Sequence, residues 1–324
     1  MFSIPKLLIL SVLTAFTLLA KAQRTYKSSS VLATGAWYKF SVDREGIYKI
    51  DPSFLAALGI QGAIPSAQIR IYGNGGGMLS ESNAEKSIDD LEEIAISVED
   101  GGDGLFSGQD QLLFYARGPD QWSLDSNTRQ FHHIKNLYSA KAYYFITIGG
   151  IGKRVNQQVS SPLAQATINS FDEHYFHEKD TINFLSSGKE WFGEEMANAP
   201  GKTLSLSFIT GIPGIIPGQP AKIISNVAAR SQNVASSFSL AINGAPVQQI
   251  SIPGVGTGIL DPFAQQVEKK DNFIATPDPV VTLNYTPGSF NSQGWLNWFE
   301  LFYRRNLEMP PSGQLSFRDL GSVG

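Results

Sequence analysis

The sequence predicts a mainly β protein with little helix, built as two β-rich domains of which the second is a β-sandwich. Three observations carry that expectation. Apolar residues recur with a period of two in one segment after another, the period of a strand with one buried face. Turn formers punctuate those segments: 31 Gly and 17 Pro, with Pro-Gly pairs at 200–201, 213–214, 217–218, 253–254 and 287–288, residues that end strands because of their backbone dihedrals. The period of 3.6 that marks an amphipathic helix is scarce, and the irregular spacing of the Pro-Gly pairs argues against a solenoid or propeller.

The first segment reads as an address. Lys6 precedes an apolar run from Leu7 to Leu19, and Ala20-Lys21-Ala22 places small residues at the −3 and −1 positions of a cut before Gln23. This is the three-part layout of a secretory signal peptide over 1–22, and its 13-residue run falls short of the roughly 20 that a spanning helix needs. A lipid anchor would need a Cys after the cut. Cleavage removes Lys6 and Lys21 and moves the formal charge from −4 to −6.

The first β-rich domain is expected over 23–155. Trp37–Val42 and Ile47–Ile50 alternate on either side of Asp43-Arg44-Glu45-Gly46, the pattern of a β-hairpin. Asp51-Pro52 followed by Gly59 brackets a short helix, with a capping carboxylate, Pro in the first turn and Gly as the stop. Further strands are expected at 68–72, 93–98, 111–115 and 141–148, and Gly149-Gly150-Ile151-Gly152 through Pro162 reads as a linker. The second domain, 165–324, is expected to be sandwich-like, with strands at 203–209, 222–228, 237–242, 280–285 and 295–303 and a hairpin turn at Asn243-Gly244. The chain runs out at Leu320–Gly324 without a closing element, the pattern expected of a piece of a longer protein.

Composition removes whole classes of chemistry. With no Cys among 324 residues there is no disulfide, no thiolate metal site and no cysteine nucleophile. A mildly acidic chain lacks the concentrated positive footprint of a nucleic-acid binder. Asp100-Gly101-Gly102-Asp103-Gly104 through Asp110 groups hard oxygen ligands on a Gly-rich loop, so Asp100, Asp103 and Asp110 are the candidate metal ligands, with calcium as the ion. These carboxylates fall at positions 1, 4 and 11, whereas a helix–loop–helix calcium loop takes its oxygens at 1, 3 and 5 with Glu at 12. A plain Asp-Gly turn therefore stands ahead of the calcium reading. Gly73–Gly77 lacks the Lys and the following helix of a phosphate loop and reads as a turn or bulge. His174 and His177 with Glu178 could face zinc only on a helix. Glu190, Glu194 and Glu195 beside Trp191 offer poor geometry for an acid and base pair, since adjacent strand residues point to opposite faces. No catalytic residue and no cofactor-binding residue is assigned.

Several stretches resemble one family together. They are Val31–Ile50, Ile69–Gly77, Asp100–Phe106, Leu113–Pro119, His132–Ser139 and Ser187–Glu195. In that order, from residue 30 to about 305, they resemble the N-terminal region of the PorU-type sortases of the type IX secretion system of Bacteroidetes, which are similar to the gingipain cysteine peptidases. The resemblance implies an exported, outer-membrane-associated protein of the cell surface that cleaves the C-terminal sorting domains of cargo proteins and attaches the cargo to the surface. It also implies that the catalytic Cys and His lie in a downstream peptidase domain that this chain does not contain, so 23–324 would be the non-catalytic region. Its implied partners are that peptidase domain, outer-membrane components of the secretion system and the cargo proteins; nucleic acid is not among them. The rival from another class is a secreted adhesin or carbohydrate-binding β-sandwich, suggested by 5 Trp and 11 Tyr. A hydrolase complete within the chain, built on Glu190, Glu194 and Glu195, ranks last.

Overall fold

The computed structural model describes residues 26–85, 87–160, 163, 167–186 and 190–322. The expected signal peptide, 1–22, lies outside them, as do Ser187, Gly188 and Lys189. The fold is mainly β, 45% strand against 5% helix, in several antiparallel sheets. The described residues form two compact units, one drawn from Met1–Pro119 with Lys141–Asn156 and the other from Asp120–Ala140 with Gln157–Gly324.

The strands run in chain order as β1 (Tyr38–Val42), β2 (Gly46–Ile50), β3 (Ile64–Pro65), β4 (Ile69–Gly73), β5 (Glu92–Ile94), β6 (Ile96–Glu99), β7 (Leu105–Phe106), β8 (Gln111–Ala116), β9 (Gln121–Asp125) and β10 (Gln130–Ile134). They continue as β11 (Ala142–Ile148), β12 (Ser170–Glu178), β13 (Glu195–Ala197), β14 (Ser205–Ile209), β15 (Pro220–Arg230), β16 (Ser236–Ile242), β17 (Ala245–Ile252), β18 (Gln265–Ile274), β19 (Val280–Thr286) and β20 (Gln293–Asn306). The helix α1 spans Pro52–Ala57, with the Asp51 carboxylate accepting from the Phe54 amide at 2.9 Å, a cap of the kind its sequence predicts.

In the first unit, sheet β1-β11-β4-β5 and sheet β2-β8-β6 share one core. The hairpin expected from β1 and β2 does not form. β1 pairs with β11 and β2 with β8, so the turn at Asp43–Glu45 carries the chain from one sheet to the other. The strand expected over 93–98 breaks at Ala95 for the same reason, β5 joining β4 and β6 joining β8. Local turn chemistry decides that the chain reverses, and burial of Phe40, Phe114 and Tyr144 in one aromatic cluster decides with which strand it pairs. The Gly-rich loop after β4 is a turn. Gly76 holds φ at +67°, and a Cβ there would sit 2.6 Å from the Gly118 carbonyl oxygen, which only Gly permits. The expected linker begins as part of this unit: the Gly149 and Gly152 amides donate to Gln68 O and Ala67 O, and Val155 N to Ile96 O.

The second unit is a sandwich of sheet β12-β20-β15-β18, with β13 also on β20, and sheet β14-β19-β16-β17. Inward residues of both sheets form its core, with Ile223, Val227, Phe299 and Leu301 facing Phe238, Leu240, Val281 and Leu283. Asn243 and Gly244 turn β16 into β17 with φ of 47° and 81°, the left-handed pair that an Asn-Gly hairpin requires. Residues 120–140 stand in sequence within the stretch expected for the first domain, yet belong by contacts to this unit, contributing the hairpin β9–β10.

At Gly294 the two sheets approach so closely that a Cβ would lie 2.7 Å from the Phe238 ring and 2.9 Å from Tyr285. Gly294→Val is expected to lower stability by about 1–3 kcal/mol through overpacking, read as a fall in the urea midpoint; an unchanged midpoint would show that the sheets are free to separate.

Candidate functional site

The outer face of the larger sheet, the one turned away from the sandwich core, carries the candidate site. Strand pairing sets its residues out in rows. Phe176, Glu300, Ile224 and Lys270 form one row across β12, β20, β15 and β18, and Glu178, Trp298, Asn226 and Glu268 form the next. A third row holds His174, Phe302, Lys222 and Asn272. Alternation on a strand puts every second residue on this face, and a register shift in β20 beside Asn226 and Val227 adds Asn297 to it.

The hairpin β9–β10 lies on this face by ring stacking. Trp122 sits flat on His174, centroids 3.8 Å apart at 9°, and His133 on Phe176 at 3.7 Å. Trp122 also meets Phe302 edge-on at 6.2 Å and Phe131 meets His174 at 5.3 Å, arrangements in which ring edges face ring planes.

Beside the hairpin is a cleft of about 590 Å³, lined by Lys135, Glu178, Glu190, Trp191, Glu268, Lys270, Asn297, Trp298 and Glu300 among others, a volume in the range of small-molecule sites. Glu300 is 3% exposed. Its Oε1 accepts the His133 amide at 2.9 Å, and its Oε2 has no hydrogen-bond partner among the described residues. Burial pushes this carboxyl up to about 7, against the His133 amide bond. Burial likewise holds His133 down, to about 4, so its ring is neutral at physiological pH, with Asp120 4.0 Å from Nε2 pulling the other way. Glu178 is raised by burial and by Asp180, opposed by the Lys135 ammonium 3.2 Å away. Lys135 is shared between Glu178 and Asp180, and these carboxylates outweigh the burial that would lower it.

The residues singled out in the sequence are scattered. Asp100, Asp103 and Asp110 each close their own turn: Asp100 accepts from the Gly102 amide and the Ser66 hydroxyl, Asp103 from the Leu105 amide at 2.8 Å, Asp110 from the Ser107 amide at 2.6 Å. Among the described residues no three His, Asp or Glu side chains are grouped to hold a metal ion. His174 and His177 lie on a strand, where a separation of three residues puts them on opposite faces: His174 under Trp122, His177 inward on Phe299 with Nε2 3.1 Å from Glu194. Glu195 turns to Lys202 and Gln293, leaving Glu190 alone of the three carboxylates at the cleft, where it accepts from Gln266 at 2.9 Å. Glu300 and Asn297 belong to no motif in the sequence, and Lys135 stands in the stretch His132–Ser139 without being singled out there. Glu300 still leaves a signal in the sequence, as the one charged residue in the largely apolar strand Trp295–Tyr303.

The fold and the cleft define a two-unit β protein whose sandwich carries a ligand-sized polar cleft on a sheet face. By sequence the chain matches no family model and no curated protein. By structure it is similar to latent, dimeric PorU from Porphyromonas gingivalis, with a TM-score of 0.71 and 21% identity over 93% of this chain. The match spans 27% of that PorU chain, and at this identity it establishes the shared fold. A calcium- and xylotriose-bound carbohydrate-binding module CBM36 (TM-score 0.22, 16% identity, 40% of this chain and 98% of that one) and an Arthrobacter globiformis isomalto-dextranase (TM-score 0.25, 10% identity, 82% and 35%) fall below the level of a common fold.

The two buried groups titrate in opposition. Glu300, raised from 4.5 to about 7, contributes stability that is complete below about 4.5 and lost as pH rises to about 7. His133, lowered from 6.5 to about 4, contributes stability that is complete above 6.5 and lost as pH falls through about 4. Glu300→Gln removes the first slope and exposes the second. Its stability relative to the parent is expected to climb by ~2 kcal/mol between pH 4.5 and 7, measured by denaturant unfolding at each pH; a pH-independent difference would mean that Glu300 titrates normally.

Proposed function

We propose that residues 23–324 are the non-catalytic N-terminal region of a PorU-like sortase of the type IX secretion system, exported by the 1–22 signal peptide to the outer membrane and cell surface. The observation that carries this reading is the structural likeness to PorU. A TM-score of 0.71 over 93% of the chain stands beside the ordered run of sequence motifs from residue 30 to about 305. The chain has no Cys and a cysteine peptidase needs a thiolate, which supports a non-catalytic role for this stretch.

In this reading the two β units support and dock a peptidase domain that follows them, and meet outer-membrane components and cargo bearing C-terminal sorting domains. Chemistry in the cleft is not required: Glu178 is paired with Lys135, and one oxygen of Glu300 takes the His133 amide. Incubated with a quenched peptide that spans the junction between a cargo protein and its sorting domain, the purified mature chain is expected to release no fluorescence. The intact product of the gene is expected to cleave the peptide and to lose that activity with iodoacetamide. Cleavage by the Cys-free chain itself, or an intact product indifferent to iodoacetamide, would overturn the reading.

A further inference from the structure

We propose that the cleft beside hairpin β9–β10 binds a guanidinium group, the chemistry of an arginine side chain. The lining is acidic. Glu178, Glu190, Glu268 and Glu300 face two lysines, Lys135 and Lys270. Lys135 is held by Glu178 and Asp180, and Lys270 lies 3.4 Å from Glu268. Glu300 forms no ion pair among the described residues.

Two buried atoms in the cleft are left unmet, and with Glu300 ionised both are acceptors. Glu300 is 3% and Asn297 5% exposed, and no described group donates to Glu300 Oε2 or Asn297 Oδ1. Asn297 cannot turn its amide to relieve the deficit, because Nδ2 is donating to Asn226 Oδ1 at 3.3 Å. Buried acceptors without donors are costly, and a group that satisfies two of them must bring several N–H bonds. A guanidinium carries five in a planar fork and remains charged at every physiological pH. A saccharide hydroxyl or a neutral amide would meet the acceptors without answering the charge of Glu300.

The walls suit the same group. Trp191 is 44% exposed at the cleft and Trp298 lies beside Glu300 on β20. Indole faces are the preferred surfaces for a stacked guanidinium. All these residues belong to one unit. The inference is independent of the sortase reading, because it concerns a binding chemistry and does not depend on where a peptidase domain lies.

The test is isothermal titration of the mature chain with N-acetyl-arginine amide at pH 7.5, against N-acetyl-citrulline amide, which keeps the shape and loses the charge. Arginine amide is expected to bind roughly tenfold or more tightly than the citrulline amide, the factor of one charge-assisted hydrogen bond. Glu300→Gln is expected to erase that preference. Trp191→Ala, at an exposed position that does not endanger folding, is expected to weaken arginine binding about threefold or more. Equal binding of the two amides, a preference that survives Glu300→Gln, or no heat with either would overturn the proposal. Retention of the chain on a glycan array without any arginine binding would overturn it too and assign the cleft to saccharides.

Discussion

The second unit depends on ring stacking across the outer face of its larger sheet. A sandwich needs only one face of each sheet buried, and Phe299, Leu301 and Val227 meet that need against Phe238 and Leu283. The opposite face of β12 and β20 would leave His174, Phe176 and Phe302 to solvent. Hairpin β9–β10 covers them, Trp122 on His174 and Phe302, His133 on Phe176. With two stacks and three edge contacts, this small two-stranded element gains a fixed seat that an isolated hairpin lacks.

That seat has an electrostatic consequence. Lowering the hairpin onto the sheet excludes water from Glu300, whose row-mates Phe176 and Ile224 are apolar. A lone carboxylate in such a place costs free energy unless it is bonded or protonated. One oxygen takes the backbone amide of His133, so the hairpin that desolvates the carboxyl also supplies its bond. The imidazole of the same residue is desolvated in turn and stays neutral. Position and protonation state are thus tied to the same contact, and the cleft opens beside it.

Much of the architecture is legible along the chain. Period-two alternation locates β1, β2, β4, β8, β11, β14, β15, β16, β19 and β20 but leaves hairpin β9–β10 and β12 unassigned, while Asp51 and Pro52 locate the helix start, and Asn243-Gly244 the tight turn between β16 and β17. Partners are less legible. The alternating flanks of Asp43–Gly46 read as a hairpin, but β1 and β2 enter different sheets, since a turn reverses the chain without choosing the neighbour. β18, Gln265–Ile274, escapes the pattern because the charged run Glu268-Lys269-Lys270-Asp271 conceals a strand whose other face packs on the core through Val267 and Phe273. The candidate carboxylates of 190–195 look like one group and are three, because β13 and its lead-in turn each to a different partner.

By itself the sequence determined the class: strands with little helix, a chain without thiol chemistry, two β-rich parts, and a candidate export signal. These follow from composition and local periodicity, which are properties of neighbours in the chain. Tertiary structure decided what lies next to what. Residues 120–140, flanked in sequence by strands of the first unit, cover a sheet of the second. Glu300 is brought under His133 from 167 positions away, and Asp100, Asp103 and Asp110 close their own turns instead of converging. Such contacts join residues far apart in sequence. They arise only when buried faces find each other, so no window along the chain contains them.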